Sequence, residues 1–185
     1  MKISKLFRIG LIASACFAAV GVSNAASTGT IEFKGSITAS TCSVAIDGKG
    51  ADGNGIVNMP ESSVSDFTTA TTSGRTEFNL VLTGCTITAP DTQVGAFFES
   101  GANVDTTTGR LINTGTATGV SLQLLDSSAN VINVGDAGQK NDGQFIIPDA
   151  GGGTLPYSVE YYKDADGTLA GGTVEGTVVY SLMYK

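Results

Sequence analysis

The chain has 185 residues, ten of them basic and seventeen acidic, with no histidine and no tryptophan, for a net charge of −7. Without histidine there is no Ser-His-Asp triad, no Cys-His pair and no His-bearing zinc shell. An acidic chain with scattered charges and no basic stripe also excludes nucleic-acid binding.

Residues 1–25 read as a secretory leader. Lys2, Lys5 and Arg8 supply the positive start, residues 10–22 an apolar run too short to span a bilayer, and Ser23-Asn24-Ala25 the small residues before a cut after Ala25. A lipoprotein reading of Ala13-Ser14-Ala15-Cys16 lacks the usual leucine, and the apolar run continues past Cys16. No other segment is a candidate membrane helix, so no membrane insertion is expected. The mature chain, 26–185, has 160 residues, enough for one domain with a core, and a net charge of −10 once the three basic leader residues are removed. Its two cysteines, Cys42 and Cys85, read as one disulfide in an exported chain. Closing that loop of about 44 residues stabilises the fold by roughly 4 kcal/mol on the chain-entropy account.

Residues 26–29 are small and polar. From Thr30 the chain alternates, with Ile31, Phe33, Gly35 and Ile37 on one face and Thr30, Glu32, Lys34 and Ser36 on the other, which predicts an amphipathic strand. A strand this close to the mature N-terminus implies something to pair with. Residues 40–46 hold Cys42 and a short alternation, 47–55 form a Gly/Asp-rich turn region, and 56–59 a short strand that Pro60 ends. Residues 61–74 are Ser/Thr-rich and irregular. A firm strand follows over 76–85, where Phe78, Leu80 and Leu82 alternate with Asn79, Val81 and Thr83. Further strands are expected at 93–99, 120–125, 131–134, 145–147 and 155–162. Polar loops separate them, including 100–118 around the pair Leu111-Ile112, and 135–143.

The last stretch, from Gly172 to Lys185, alternates most clearly. Val174, Gly176, Val178, Tyr180, Leu182 and Tyr184 share one face; Thr173, Glu175, Thr177, Val179, Ser181 and Met183 share the other. It predicts a long, half-buried strand with no proline and a single internal charge. Such an edge recruits other chains unless covered, and the chain stops straight after it. No segment of the mature chain has a helical period. Short strands with turn signals every eight to twelve residues predict an all-β sandwich.

These pieces together resemble the type 1 fimbrial subunits of the chaperone–usher pathway of Gram-negative bacteria. The resemblance rests on residues 30–35 as an N-terminal extension, Gly35-x-Ile37 followed by Cys42-Ser43-Val44, Phe78-x-Leu80-x-Leu82-x-x-Cys85, the strand 119–126, Gly172 fourteenth from the end and the penultimate Tyr184. It covers the whole mature chain and implies an incomplete immunoglobulin-like sandwich completed by donor-strand complementation. Residues 26–38 would be the donor extension and 39–185 the pilin domain. Ile31, Phe33, Gly35 and Ile37 would enter a neighbouring subunit's groove, edged by Gly172, Val178, Tyr180, Leu182, Tyr184 and Lys185. A periplasmic chaperone would fill that groove first and anchor the terminal carboxylate, and an outer-membrane usher would oversee the exchange. The expected product is a head-to-tail homopolymer at the cell surface that supports adhesion as a fibre.

Asp164, Asp166 and Glu175 mimic part of a calcium loop, but Leu169 stands at its sharp turn and Glu175 falls in a strand, so a solvated turn is expected and no metal, cofactor or catalytic residue is assigned. A minor adaptor subunit would share the same motifs as a shaft subunit. A tip adhesin would need an extra receptor-binding domain, and a secreted carbohydrate-binding sandwich would be a closed monomer, often with exposed aromatic residues in its loops.

Overall fold

The computed structural model describes residue 32 and residues 40–47, 53–149 and 151–185. The expected leader lies outside the described residues, as do Ile31, Phe33, Gly35 and Ile37. The chain divides into two compact units, Met1–Ser36, of which only Glu32 is described, and Ile37–Lys185.

The second unit is built of strands. In chain order the described ones are β1 (Thr41–Ile46), β2 (Thr72–Thr86), β3 (Val94–Phe98), β4 (Val104–Asp105), β5 (Arg110–Ile112), β6 (Val120–Leu125), β7 (Val131–Ile132), β8 (Phe145–Ile146), β9 (Gly152–Lys163) and β10 (Tyr180–Tyr184). All pair antiparallel. The larger sheet runs β1-β2-β9-β6-β5-β4, with β7 also on β6; the smaller runs β10-β3-β8. The Cys42–Cys85 disulfide forms, tying β1 to β2.

Period-two alternation builds the core. On β2, Phe78, Leu80 and Leu82 are buried while Glu77 and Thr83 are exposed. Opposite them on β9 stand Tyr157, Leu155 and Gly153. The facing sheet contributes Val94, Ala96 and Phe98, and the Phe98 ring meets Tyr157 edge-on at 5.1 Å. Each large apolar side chain fully buried here contributes roughly 1.5–3 kcal/mol. β6 is buried at all six positions. Its inward residues Leu122 and Leu124 join the core, whereas outward Gln123 bonds Glu160, a buried carboxylate that also holds Arg75 at 2.9 Å. Pro156 is tolerated within β9 because the pairing with β6 reaches only to Ser158, so its missing N–H faces no ladder there.

Several expected elements differ. β2 starts at Thr72, four residues early, across a register shift between Ser73 and Thr76 where Gly74 takes φ +66°. The Ser/Thr-rich segment before it holds a 3-10 turn, Val64–Thr68, capped by Ser63 and Asp66 and pinned by buried Phe67. Residues 56–59 form no ladder. The loop expected over 100–118 contains the β4–β5 hairpin, and the polar loop 135–143 contains a single helical turn, α1 (Gln139–Asp142). The side-chain amide of Gln139 holds that turn: its oxygen accepts from Phe98 N–H at 3.0 Å and its nitrogen donates to Phe98 O at 3.1 Å.

Candidate functional site: an apolar groove along the C-terminal strand

β10 sits at the edge of its sheet, paired with β3 in the register Tyr180↔Phe98, Leu182↔Ala96 and Tyr184↔Val94. Lys185 and Gln93 exchange backbone bonds at 2.7 and 3.0 Å, and Glu99 N–H donates to Val179 O at 2.8 Å. The odd-numbered residues therefore turn their peptide groups toward β3, and by the alternation of an antiparallel ladder Leu182 and Tyr184 turn theirs to the outer edge. No described strand pairs there.

The same even positions aim their side chains at the core. Val174, Val178, Tyr180, Leu182 and Tyr184 pack against it but stay only partly buried, whereas Val179 on the opposite face is 71 % exposed. A core-facing apolar row left half covered is the lining of a groove. The facing bank is β1 with residues 53–59, where Val57 and Met59 are also partly buried and Ile56 is 84 % exposed. The two banks touch through tyrosine hydroxyls. Tyr184 Oη accepts from Cys42 N–H at 2.9 Å, and Tyr180 Oη donates to Gly53 O at 2.8 Å. Banks bridged by whole tyrosine side chains stand farther apart than the roughly 4.8 Å of paired strands, which suits a missing strand between them.

The long C-terminal strand expected from Gly172 is shorter than its pattern. Ladder pairing covers only Tyr180–Tyr184, and 173–179 runs extended on separate backbone bonds, Thr114 N–H to Glu175 O at 2.8 Å and Ala117 N–H to Thr173 O at 3.0 Å, together with side-chain tethers. Glu175 N–H donates to Asn113 Oδ1 at 2.9 Å, Thr173 N–H to Thr116 Oγ1 at 2.9 Å, and Thr116 N–H to Thr173 Oγ1 at 3.0 Å. The cause lies opposite: Asn113 folds over its own loop, bonding Ala117 O and Gly115 N–H, so residues 113–117 offer separated backbone donors and side chains instead of a continuous straight edge. Gly172 is needed sterically, since a Cβ there would collide with the Thr116–Ala117 peptide.

At this end the groove opens into a cavity of about 520 Å³ lined by Met59, Phe67, Val120, Tyr161 and Val174. Burial, with a smaller contribution from Glu61, raises the Tyr161 phenol above its usual range, and its hydroxyl donates to Pro60 O at 3.0 Å. At the other end the Lys185 ammonium lies 3.3 Å over the Phe145 ring. The structure thus lines up Gly172, Val178, Tyr180, Leu182, Tyr184 and Lys185 along one run. Sequence reasoning missed Val57, Met59 and Asn113; the alternation of Val57 and Met59 with Ile56 and Asn58 was the available signal for the first two. Asp164, the first acid of the calcium-like turn, accepts from Ser121 Oγ at 2.7 Å, and among the described residues no three Asp, Glu, Cys or His side chains gather as metal ligands.

The sequence model of the type-1 fimbrial protein A family matches residues 59–185. The chain belongs to that family. Among curated relatives of this fimbrial protein, the major fimbrial subunit SMF-1 of Stenotrophomonas maltophilia (strain K279a) is 37% identical, over 86% of this chain and 94% of its own. The F17 fimbrial protein of Escherichia coli is 32% identical over 97% of both chains. Two solved chains share the immunoglobulin-like fold at a TM-score of 0.61. One, from a chaperone–usher pilus, is 20% identical and covers 86% of this chain and 97% of itself; the other, the P pilus rod subunit PapA, is 19% identical and covers 78% and 99%. The protein is a structural subunit of a cell-surface fimbria. Among its described residues no helix is long and apolar enough to cross a membrane.

Proposed function

We propose that the subunit polymerises head to tail, each copy inserting residues 30–37 into the groove along β10 of the next. The observation that carries this reading is the half-covered apolar row Val178, Tyr180, Leu182 and Tyr184 at the outer edge of a three-stranded sheet. An inserted strand would complete the backbone pairing and cover that row. Ile31, Phe33 and Ile37 would each contribute roughly 1.5–3 kcal/mol by burial, and Gly35 would allow close backbone approach. Running antiparallel to β10, the donor would bring Ile37 toward the cavity near Gly172. A subunit that carries both a donor strand and an acceptor groove makes a heterologous contact, which propagates into a filament when it does not close.

The same reading has the leader removed after Ala25, residues 26–38 serving as the extension and 39–185 as the acceptor domain, with passage through the periplasm. A chaperone would fill the groove first, touching Gly172 and the even-numbered row and holding the Lys185 carboxylate, and an usher would replace it with the next subunit's extension. The name of the Stenotrophomonas relative, a major subunit, supports a shaft role over an adaptor one.

The test compares thermal unfolding of residues 40–185 alone with the same domain carrying residues 29–38 after Lys185 through a short turn. The bare domain is expected to aggregate or melt low, and the appended one to melt cooperatively at much higher temperature. A bare domain that is already a stable monomer, with nothing gained from the appended strand, would mean a closed sandwich and end the donor-strand reading.

A further inference from the structure

Residues 173–179 lie before the β10 ladder yet keep its geometry. Their odd-numbered members turn peptide groups inward: Thr173 O and Glu175 O accept from Ala117 and Thr114, as Val179 O and Lys185 O accept from Glu99 and Gln93. That parity holds from 173 to 185, so the run has no bulge at which its two faces would exchange. The even-numbered side chains agree. Val174, Val178, Tyr180, Leu182 and Tyr184 pack against the core, and Gly176 lies so near Leu122 that a Cβ would meet Leu122 Cδ1 at 2.6 Å. By the same alternation the peptide groups of Val174, Gly176 and Val178 point outward, in line with those of Leu182 and Tyr184.

Side chains complete what the loop backbone leaves open. Glu175 N–H donates to Asn113 Oδ1 and Thr173 N–H to Thr116 Oγ1, both at 2.9 Å, while Asn103 Nδ2 donates to the Thr177 hydroxyl at 2.6 Å. Asn113 is held on both sides of its amide: Oδ1 also accepts from Gly115 N–H at 2.9 Å, and Nδ2 donates to Ala117 O at 2.8 Å. An amide supplies acceptor and donor together; an aspartate in its place would lack the donor, and an alanine both. Without these side chains the Thr173 and Glu175 N–H groups would find partners only in water, and nothing would keep the opposite edge of the run facing outward.

Length gives this consequence. The extension read from the sequence has eight residues, 30–37, and the β10 ladder only five. Paired strands advance residue for residue, so an inserted extension that stays within the chain's end overruns Tyr180 onto the tethered segment. We propose that Asn113 is a positioning residue for subunit capture: with Thr116 and Asn103 it holds 173–179 as the continuation of the acceptor edge, and so seats the second half of the extension, Gly35 to Ile37. This rests on the donor-strand reading and adds where the far half of the donor gains its backbone partners. Asn113 acts through Glu175 rather than by touching the extension.

Hydrogen–deuterium exchange on purified fimbriae of the full chain, read by mass spectrometry, tests this. In the unsubstituted protein the amides of 30–37 should be protected. Asn113→Ala should speed exchange at 35–37 and 174–178 about five- to tenfold, the effect of one or two lost hydrogen bonds, and leave 31–33 and 182–184 within about twofold. Thr116→Val, which removes only the hydroxyl that Thr173 N–H meets, should give the same pattern at smaller amplitude, and it decides the matter if Asn113→Ala subunits do not assemble. Asn130→Ala removes a comparable side-chain bond, to Asp126 at 2.9 Å in the turn after β6, and should leave the extension unchanged. Protected 30–37 with exchange at 35–37 unmoved by these groove-side substitutions would overturn the role of Asn113 and leave the donor strand standing. Exchange raised evenly along 30–37 would overturn it equally, as the mark of a general loss of stability. Unprotected 30–37 in unsubstituted fimbriae would end the donor-strand reading and this inference with it.

Discussion

Leu182 and Val179 stand three residues apart on opposite faces of the C-terminal run, and replacing each with alanine separates the groove from its outer surface. Leu182 faces the core but is only partly buried, opposite Ala96 on β3. Leu→Ala at a fully buried site costs about 2–5 kcal/mol. In the unfilled domain only part of that is at stake, on the order of 1–2 kcal/mol, because solvent already reaches the side chain. Once a donor strand covers the groove, the remaining burial is added, so Leu182→Ala should cost about 2–4 kcal/mol in the donor-appended domain. Val179 is 71% exposed, and its truncation should stay within about 0.5 kcal/mol. Urea unfolding followed by circular dichroism reads the difference. With a slope near 2 kcal/mol/M, Leu182→Ala should lower the midpoint by roughly 1–2 M and Val179→Ala hardly at all. Equal effects, or a larger one at Val179, would mean that the strand presents its other face to the donor, the consequence of a one-residue slip, and would refute the groove argument.

Two further outcomes follow from the core. The Cys42–Cys85 bond spans a sequence separation of 43, so a Cys42→Ala/Cys85→Ala protein should lose about 4 kcal/mol in urea unfolding; a loss below about 1 kcal/mol would show that β1 holds to β2 without it. Burial pushes the Tyr157 phenol up from 10.0 to about 12, outweighing the nearby Ala96 backbone. Below pH 10 the phenol is neutral in both folded and unfolded chains and no stability is lost. Between pH 10 and about 12 the unfolded chain gives up its proton first, so stability should fall by roughly 2–3 kcal/mol. Tyr157→Phe should lack this share of the alkaline loss in pH-dependent melts, and an unchanged alkaline profile would contradict it.

The parts legible in the sequence are those where one face of a strand meets the core. Phe78, Leu80 and Leu82 announce β2, and Leu122 and Leu124 mark β6, because inward positions exclude water whatever lies across from them. The even-numbered row from Val174 to Tyr184 is legible for the same reason. Shorter elements were not. β4 and β5 hold two and three residues, too few for a period, and exist because each completes the other's backbone bonds. The 3-10 turn before β2 carries its signal in Ser63 and Asp66, which bond each other's backbone, but Phe67 is needed to see which way it packs.

Alternation also overstated the last strand. From 173 to 179 the residues keep the pattern of a strand, yet the segment beside them is a folded Asn/Thr loop that meets them with isolated backbone bonds from Thr114 and Ala117, and extended backbone becomes ladder only where a straight partner supplies matching groups in succession. Which segment forms the far bank of the groove could not be read. Val57 and Met59 belong to it because β1 is stapled to β2 at one edge of the larger sheet, while β10 ends the smaller one. The sequence by itself determined which side chains must leave water, since that depends on each residue and its spacing along the chain. Only the tertiary structure decided which edges were left facing each other, because that depends on pairings between residues far apart in the chain, such as Thr72 with Tyr162 and Val94 with Tyr184.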